Sequence, residues 1–108
     1  MIYLTECPRD AIQGIQKFIS TDKKIKYINQ LLKVGFHTID FGSFVSPKAI
    51  PQLIDTEIVL NSLDLDNSNS NLLAIIANLR GAIKACDFKQ INYLGYPLSI
   101  SEIFQKKN

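Results

Sequence analysis

Leu72-Leu73-Ala74-Ile75-Ile76-Ala77 is the stretch whose reading decides the fold. It is an unbroken apolar run that comes after a polar, loop-like segment from Asp64 to Asn71. A strand covered on both faces reads this way, and both faces are covered when helices flank a parallel sheet.

Working outward from that run, the neighbouring segments alternate between strand and helix character. Phe36 to Phe41 contains Thr38 and Ile39 and suits a strand. Ile2 to Glu6 is rich in β-formers and ends at Cys7-Pro8, a strand running into a loop. Between them, Thr21 is placed to cap a helix in which Ile25, Ile28, Leu31 and Leu32 have helical spacing. Gly35 stands where a helix C′ glycine belongs. The loop from Gly42 to Pro51 holds two prolines and leads into a shorter helical stretch to Asn61. Downstream, Arg80 to Cys86 reads as a short helix and Ile91 to Tyr96 as a fourth strand. Ser99 to Asn108 reads as a βα loop entering another helix.

The order β-α-β-α-β-α-β means an α/β protein with a parallel sheet. A doubly wound sheet and a (β/α)₈ barrel both fit it. A closed barrel of this type takes about 250 residues, so the 108 residues read as roughly half of one. Such a piece leaves two strand edges and an apolar interior exposed.

Apolar residues make up 46% and charged residues 20%, as in ordinary globular chains. The net charge of +2 is small, and the lysine clusters (Lys23-Lys24-Lys26 and Lys106-Lys107) read as solvated surface. Neither a nucleic acid nor a membrane is expected as a partner. Cys7 and Cys86 match no metal-ligand spacing, and no apolar run approaches a membrane span. With no targeting segment recognisable ahead of Ile2, a reducing cytoplasm is the expected setting.

Ligands of parallel α/β sheets meet the carboxyl ends of the strands. The polar residues at those ends are Glu6, Arg9, Asp10 and Gln13, then Asp40 and Ser43, then Asn78 and Arg80, and finally Ser99, Ser101 and Glu102. Taken singly, each reads more readily as a surface ion pair or a satisfied polar group. Gathered on one rim, carboxylates and a guanidinium can hold a divalent cation and an anionic oxygen. His37, the only histidine, lies out of phase with Thr38 and Asp40 and reads as packed or surface-exposed.

Glu6-Cys7-Pro8-Arg9-Asp10-Ala11-Ile12-Gln13 resembles the first-strand motif of hydroxymethylglutaryl-CoA lyases, within a wider group of metal-dependent barrel lyases and Claisen-condensing synthases. More specific is Ser43-Phe44-Val45-Ser46-Pro47-Lys48 with Pro51-Gln52 beyond it, which resembles the lyase signature after strand two and separates it from the condensing synthases. Asn78-Leu79-Arg80-Gly81, and Glu102 with Phe104 to Asn108, resemble the segments after strands three and four. The resemblance runs in order along essentially the whole chain. It implies the N-terminal part of a (β/α)₈ TIM barrel, about four β/α units over residues 1–108.

The resemblance also implies an activity: metal-dependent retro-Claisen cleavage of 3-hydroxy-3-methylglutaryl-CoA, an acyl-CoA, to acetyl-CoA and acetoacetate. By the family's pattern Asp10 is a ligand of Mg²⁺ or Mn²⁺, and Arg9 steadies the developing enolate or carbonyl oxygen. Asp40 stands in place of a glutamate that organises the metal and substrate region, and Ser43 is a substrate contact. Ala11 replaces the usual glycine after the Arg-Asp pair. The family completes its site with a late His-x-His pair and a cysteine in a glycine-rich loop. Neither is among these 108 residues. The resemblance therefore predicts negligible activity for the chain by itself, and association with a second copy or with the rest of a barrel. A non-catalytic, self-associating half-barrel is the reading of a different class.

Overall fold

A computed structural model describes residues 2–97; the expected loop and helix at Ser99 to Asn108 lie outside them. Four strands, β1 (Thr5–Glu6), β2 (Thr38–Ser43), β3 (Asn71–Ile75) and β4 (Tyr93–Gly95), form one parallel sheet in the order β1-β2-β3-β4. The helices are α1 (Pro8–Gln13), α2 (Thr21–Val34), α3 (Thr56–Asn61) and α4 (Leu79–Cys86), with a 3₁₀ turn at Pro51–Leu53. Sequential parallel neighbours joined by helical crossovers are the build of a partial barrel.

Three local expectations give way to other arrangements. Residues after Cys7 form α1 instead of a loop. Pro8 opens that helix, where its missing N–H leaves no hydrogen bond unmade. At the start of α2 the cap is Ser20, whose Oγ accepts from the Lys23 N–H at 3.3 Å. Thr21 instead donates its hydroxyl to Asp55 Oδ2 at 2.7 Å. Gly35 closes α2 at φ 92°, the left-handed C-cap its position predicts. The stretch from Pro51 to Asn61 divides into the 3₁₀ turn and α3, rather than one helix.

One face of the sheet packs under α2 and α3. Ile28 and Leu32 of α2, Ile39 and Phe41 of β2, Val59 and Leu60 of α3, and Leu72 and Ala74 of β3 form the core. Fully burying a side chain such as Leu60 contributes about 1.5–3 kcal/mol.

The opposite face decides the fate of the apolar run that revealed the fold. Burial along β3 alternates: Leu72 and Ala74 are buried, Leu73 and Ile75 only partly so. The expected cover on both faces is therefore complete on one face of β3 and partial on the other, whereas all of β2 is buried and Arg9 of α1 reaches Asp40 on that second face. Tyr93 and Leu94 of the edge strand β4 are exposed, as are Ile2, Tyr3 and Leu4 beside the other edge.

Between Asp40 and Gly42 the β2–β3 register shifts: Asp40 partners Leu73 and Gly42 partners Ala74. Phe41 is thus the extra residue of a bulge, which turns the backbone at Gly42 and re-aims the side chain of Ser43 beyond it. Asp40 and Ser43, three apart, consequently share the face opposite α2 and α3 with their partners Leu73 and Ile75.

Candidate active site

The rim at the carboxyl ends of the strands is organised by Arg9. Its Nε donates to Asp40 Oδ1 at 3.1 Å and Oδ2 at 3.0 Å, and its Nη2 donates to Oδ2 at 2.8 Å. Nη1 donates to Gln13 Oε1 at 2.7 Å, one helical turn along α1. The Arg9 and Asp40 side chains are only 16% and 6% exposed. The hydrogen bond to Asp40 raises the guanidinium's pKa further above its already high value. Arg9 is a permanent, oriented cation.

A guanidinium has five N–H donors. Asp40 and Gln13 engage three, leaving one on each Nη for an incoming oxygen. Both Asp40 oxygens, in turn, are spent on Arg9. Asp40 therefore acts through Arg9, holding it on a buried carboxylate.

Asp10 adjoins this pair without joining it. Its Oδ1 lies 3.8 Å from Arg9 Nη1 and its side chain is 76% exposed. Among the described residues no group of three His, Cys, Asp or Glu side chains is placed to share a cation. A hard divalent cation needs several ligands held together, and Asp10 supplies one. The described residues do not by themselves make a metal site.

Ser43 lies elsewhere on the rim. It is buried, its Oγ accepts from the Val45 N–H at 3.2 Å, and its own hydroxyl proton remains to be donated. With Asn78, Arg80 and Lys84 it lines a cleft of about 300 Å³ between the loop after β2 and the start of α4. Asn78 is partly committed there as the N-cap of α4, its Oδ1 accepting from the Gly81 N–H at 2.9 Å. The candidates thus form two groups, Arg9-Asp10-Gln13-Asp40 and Ser43-Asn78-Arg80. Ser99, Ser101 and Glu102 lie outside the described residues.

Glu6 accepts from the Cys7 N–H at 3.2 Å. The Cys7 thiol is exposed, yet partial desolvation and then the Asp40 charge raise its pKa, which keeps it a thiol rather than a nucleophilic thiolate. His37 sits just before β2, its Nδ1 2.7 Å from Thr38 Oγ1 and its ring 4.3 Å from that of Tyr3. Its ring thus meets Tyr3 and the hydroxyl of Thr38, the residue from which strand phase sets it apart.

One group is not anticipated by the sequence pattern. Lys24, expected on the solvated surface, is 3% exposed. Its Nζ bonds Asp55 Oδ1 at 2.7 Å and the Gln52 carbonyl, and lies 4.1 Å from the Phe18 ring centroid. The available signal is helical phase: Lys24, Ile28 and Leu32 fall on one stripe four residues apart.

Known proteins share this architecture. No protein-family profile matches the chain. Human mitochondrial hydroxymethylglutaryl-CoA lyase is 37% identical over 103 residues, covering 94% of this chain and 30% of the human protein. Hydroxymethylglutaryl-CoA lyase YngG of Bacillus subtilis is 37% identical over 101 residues, covering 94% and 33%. Among solved structures, an HMG-CoA lyase of Acinetobacter baumannii in complex with coenzyme A and 3-methylmalate superposes with a TM-score of 0.88 at 40% identity. That match covers 97% of this chain and 34% of the solved one. A B. subtilis HMG-CoA lyase structure gives 0.88 at 35% identity, over 99% and 36%. The chain spans about one third of the length of the relatives it matches, and those relatives are TIM-barrel lyases.

Proposed function

Because this chain is a homologue of the hydroxymethylglutaryl-CoA lyases along nearly all of its own length, we propose that it supplies the Arg9 part of a carbon–carbon lyase site. The reaction is the retro-Claisen cleavage of 3-hydroxy-3-methylglutaryl-CoA to acetyl-CoA and acetoacetate. A base takes the tertiary hydroxyl proton, the carbon–carbon bond breaks, and acetyl-CoA leaves as its enolate before reprotonation.

One observation carries the reading: a guanidinium fixed by Asp40 and Gln13 with an N–H left on each Nη. Negative charge gathers on the thioester oxygen as the enolate forms. Donors already oriented toward that oxygen stabilise it more than they stabilise the neutral substrate. Asp40 serves as a positioning residue, and Ser43 as a hydroxyl donor to substrate on the same sheet face.

The family's Mg²⁺ or Mn²⁺ enters this proposal only with ligands joined to Asp10 from outside the described residues. The same holds for the remaining catalytic groups, so the isolated chain is expected to release no acetoacetate. Two free, exposed cysteines fit a reducing cytoplasm as the setting. No helix among the described residues is long and apolar enough to cross a membrane.

The test is a chimera in which this chain replaces the matching third of the B. subtilis lyase. Acetyl-CoA release with Mg²⁺ is expected, and Arg9→Gln should lower kcat by roughly 10²-fold or more, as loss of an oxyanion donor does. A folded chimera that is inactive, or one indifferent to Arg9→Gln, would overturn the proposal.

A further inference from the structure

Gln52, in the 3₁₀ turn, is 5% exposed and spends its whole amide on one neighbouring segment. Its Nε2 donates to the carbonyls of Ile15 at 2.7 Å and Lys17 at 2.9 Å. Its Oε1 accepts from the Ile19 N–H at 2.8 Å. Three bonds thus bind the connection between α1 and α2, which has no regular structure to hold it.

The backbone of Gln52 is held in turn. Lys24 Nζ donates to the Gln52 carbonyl and to Asp55 Oδ1, and Thr21 donates to Asp55 Oδ2. All three oxygens of this anchor are paired, and no buried side-chain polar atom among the described residues lacks a partner. A fully satisfied buried network rigidifies the segments it joins.

Here the network holds the exit of α1. Ile15 lies two residues beyond Gln13, and Gln13 is the acceptor that fixes Arg9 Nη1. α1 also packs directly against the 3₁₀ turn. We propose that Gln52 is a positioning residue for Arg9, clamping residues 15–19 so that α1 presents the guanidinium to substrate in one orientation, with Lys24 and Asp55 fixing the clamp. This assignment gives Pro51-Gln52 a physical role, and it rests on the reading of Arg9 as the oxyanion donor. A helix of six residues cannot hold its own geometry in water, so the orientation of Arg9 has to come from outside α1.

The experiment reads Arg9 directly, without substrate, so its outcome is separate from whether the chain belongs to a lyase. Hydrogen exchange at Arg9 Nε is monitored by NMR in the wild type, in Gln52→Met and in Val59→Ala. Gln52→Met keeps the side-chain volume and removes the three bonds, whereas Val59→Ala weakens the core without removing any of them. Gln52→Met is expected to speed exchange roughly tenfold, the effect of losing a buried hydrogen bond or two. Val59→Ala should leave it within about twofold under native conditions, where local opening dominates. Equal acceleration by both variants, or none in a folded Gln52→Met protein, overturns the proposal. The wild type supplies a measurement that needs no variant. In low urea, Arg9 Nε–H and Ile19 N–H should open with the same urea dependence, and independent openings would count against the clamp.

Discussion

Arg9 and Asp40 show how a pair proposed for chemistry is also structure. Asp40 is buried on a strand, where an unpaired carboxylate would be costly, and Arg9 relieves that cost with three short contacts. The dependence is mutual, since the same contacts hold Arg9 in its direction. Asp40→Asn leaves the shape intact but removes the charge, and is expected to lower stability by about 2–3 kcal/mol in urea denaturation. A loss below about 0.5 kcal/mol, the level of a surface substitution, would show the pair to be solvated. At this scale the Arg-Asp motif is legible in the sequence, and the partner is not. Arg9 and Asp40 are 31 residues apart, and only folding shows that Arg9 bonds Asp40 rather than its neighbour Asp10.

Helices are legible where caps and periodicity agree. α2 has a capping serine, Asp22 in its first turn, Lys33 in its last, an apolar stripe and a left-handed Gly35 at its end. α1 is not legible, because six residues offer too little periodicity to read. Two glycines at element boundaries behave oppositely. At Gly81 an added Cβ would lie 2.5 Å from the Phe44 carbonyl oxygen, so α4 packs against the loop after β2 only with glycine there. Gly81→Ala is expected to destabilise by about 1–2 kcal/mol despite alanine's better helix propensity. Gly14, at φ −84° with nothing within 4 Å of an added Cβ, should gain about 0.4–1 kcal/mol on the same change, through the unfolded chain. Thermal unfolding of the two variants checks the pair of signs; the same sign for both would refute the packing argument.

Among the described residues the sheet is open at both edges. Within these residues β1 and β4 each pair on one side only, and exposed Tyr93, Leu94 and Tyr96 flank one edge while Ile2, Tyr3 and Leu4 flank the other. Unpaired parallel edges with apolar side chains recruit further strands. Sedimentation velocity of the 108-residue chain should therefore show association that grows with concentration. Tyr93→Lys, which places a charge on the β4 edge, should weaken that association. A monomer unchanged across roughly 10–200 μM, the range in which exposed edges aggregate, would contradict this. Half of a typical specific interface is about 800 Å² per partner, so closing both edges is a matter of whole strands rather than single contacts.

Hydrophobic pattern and turn chemistry were enough to determine an α/β chain with four parallel strands, because each strand and most helices write their period locally. Local motifs were enough to point to Arg9, Asp10, Asp40 and Ser43. Tertiary structure alone decided that Asp40 serves Arg9, that a bulge at Phe41 turns Ser43 to the same face, and that Lys24 is buried on Asp55. It also decided that burial along the apolar run at Leu72 is complete on one side and partial on the other. These are contacts between residues far apart in the chain. Their energies depend on burial, and burial is a property of the folded whole that no local spacing records.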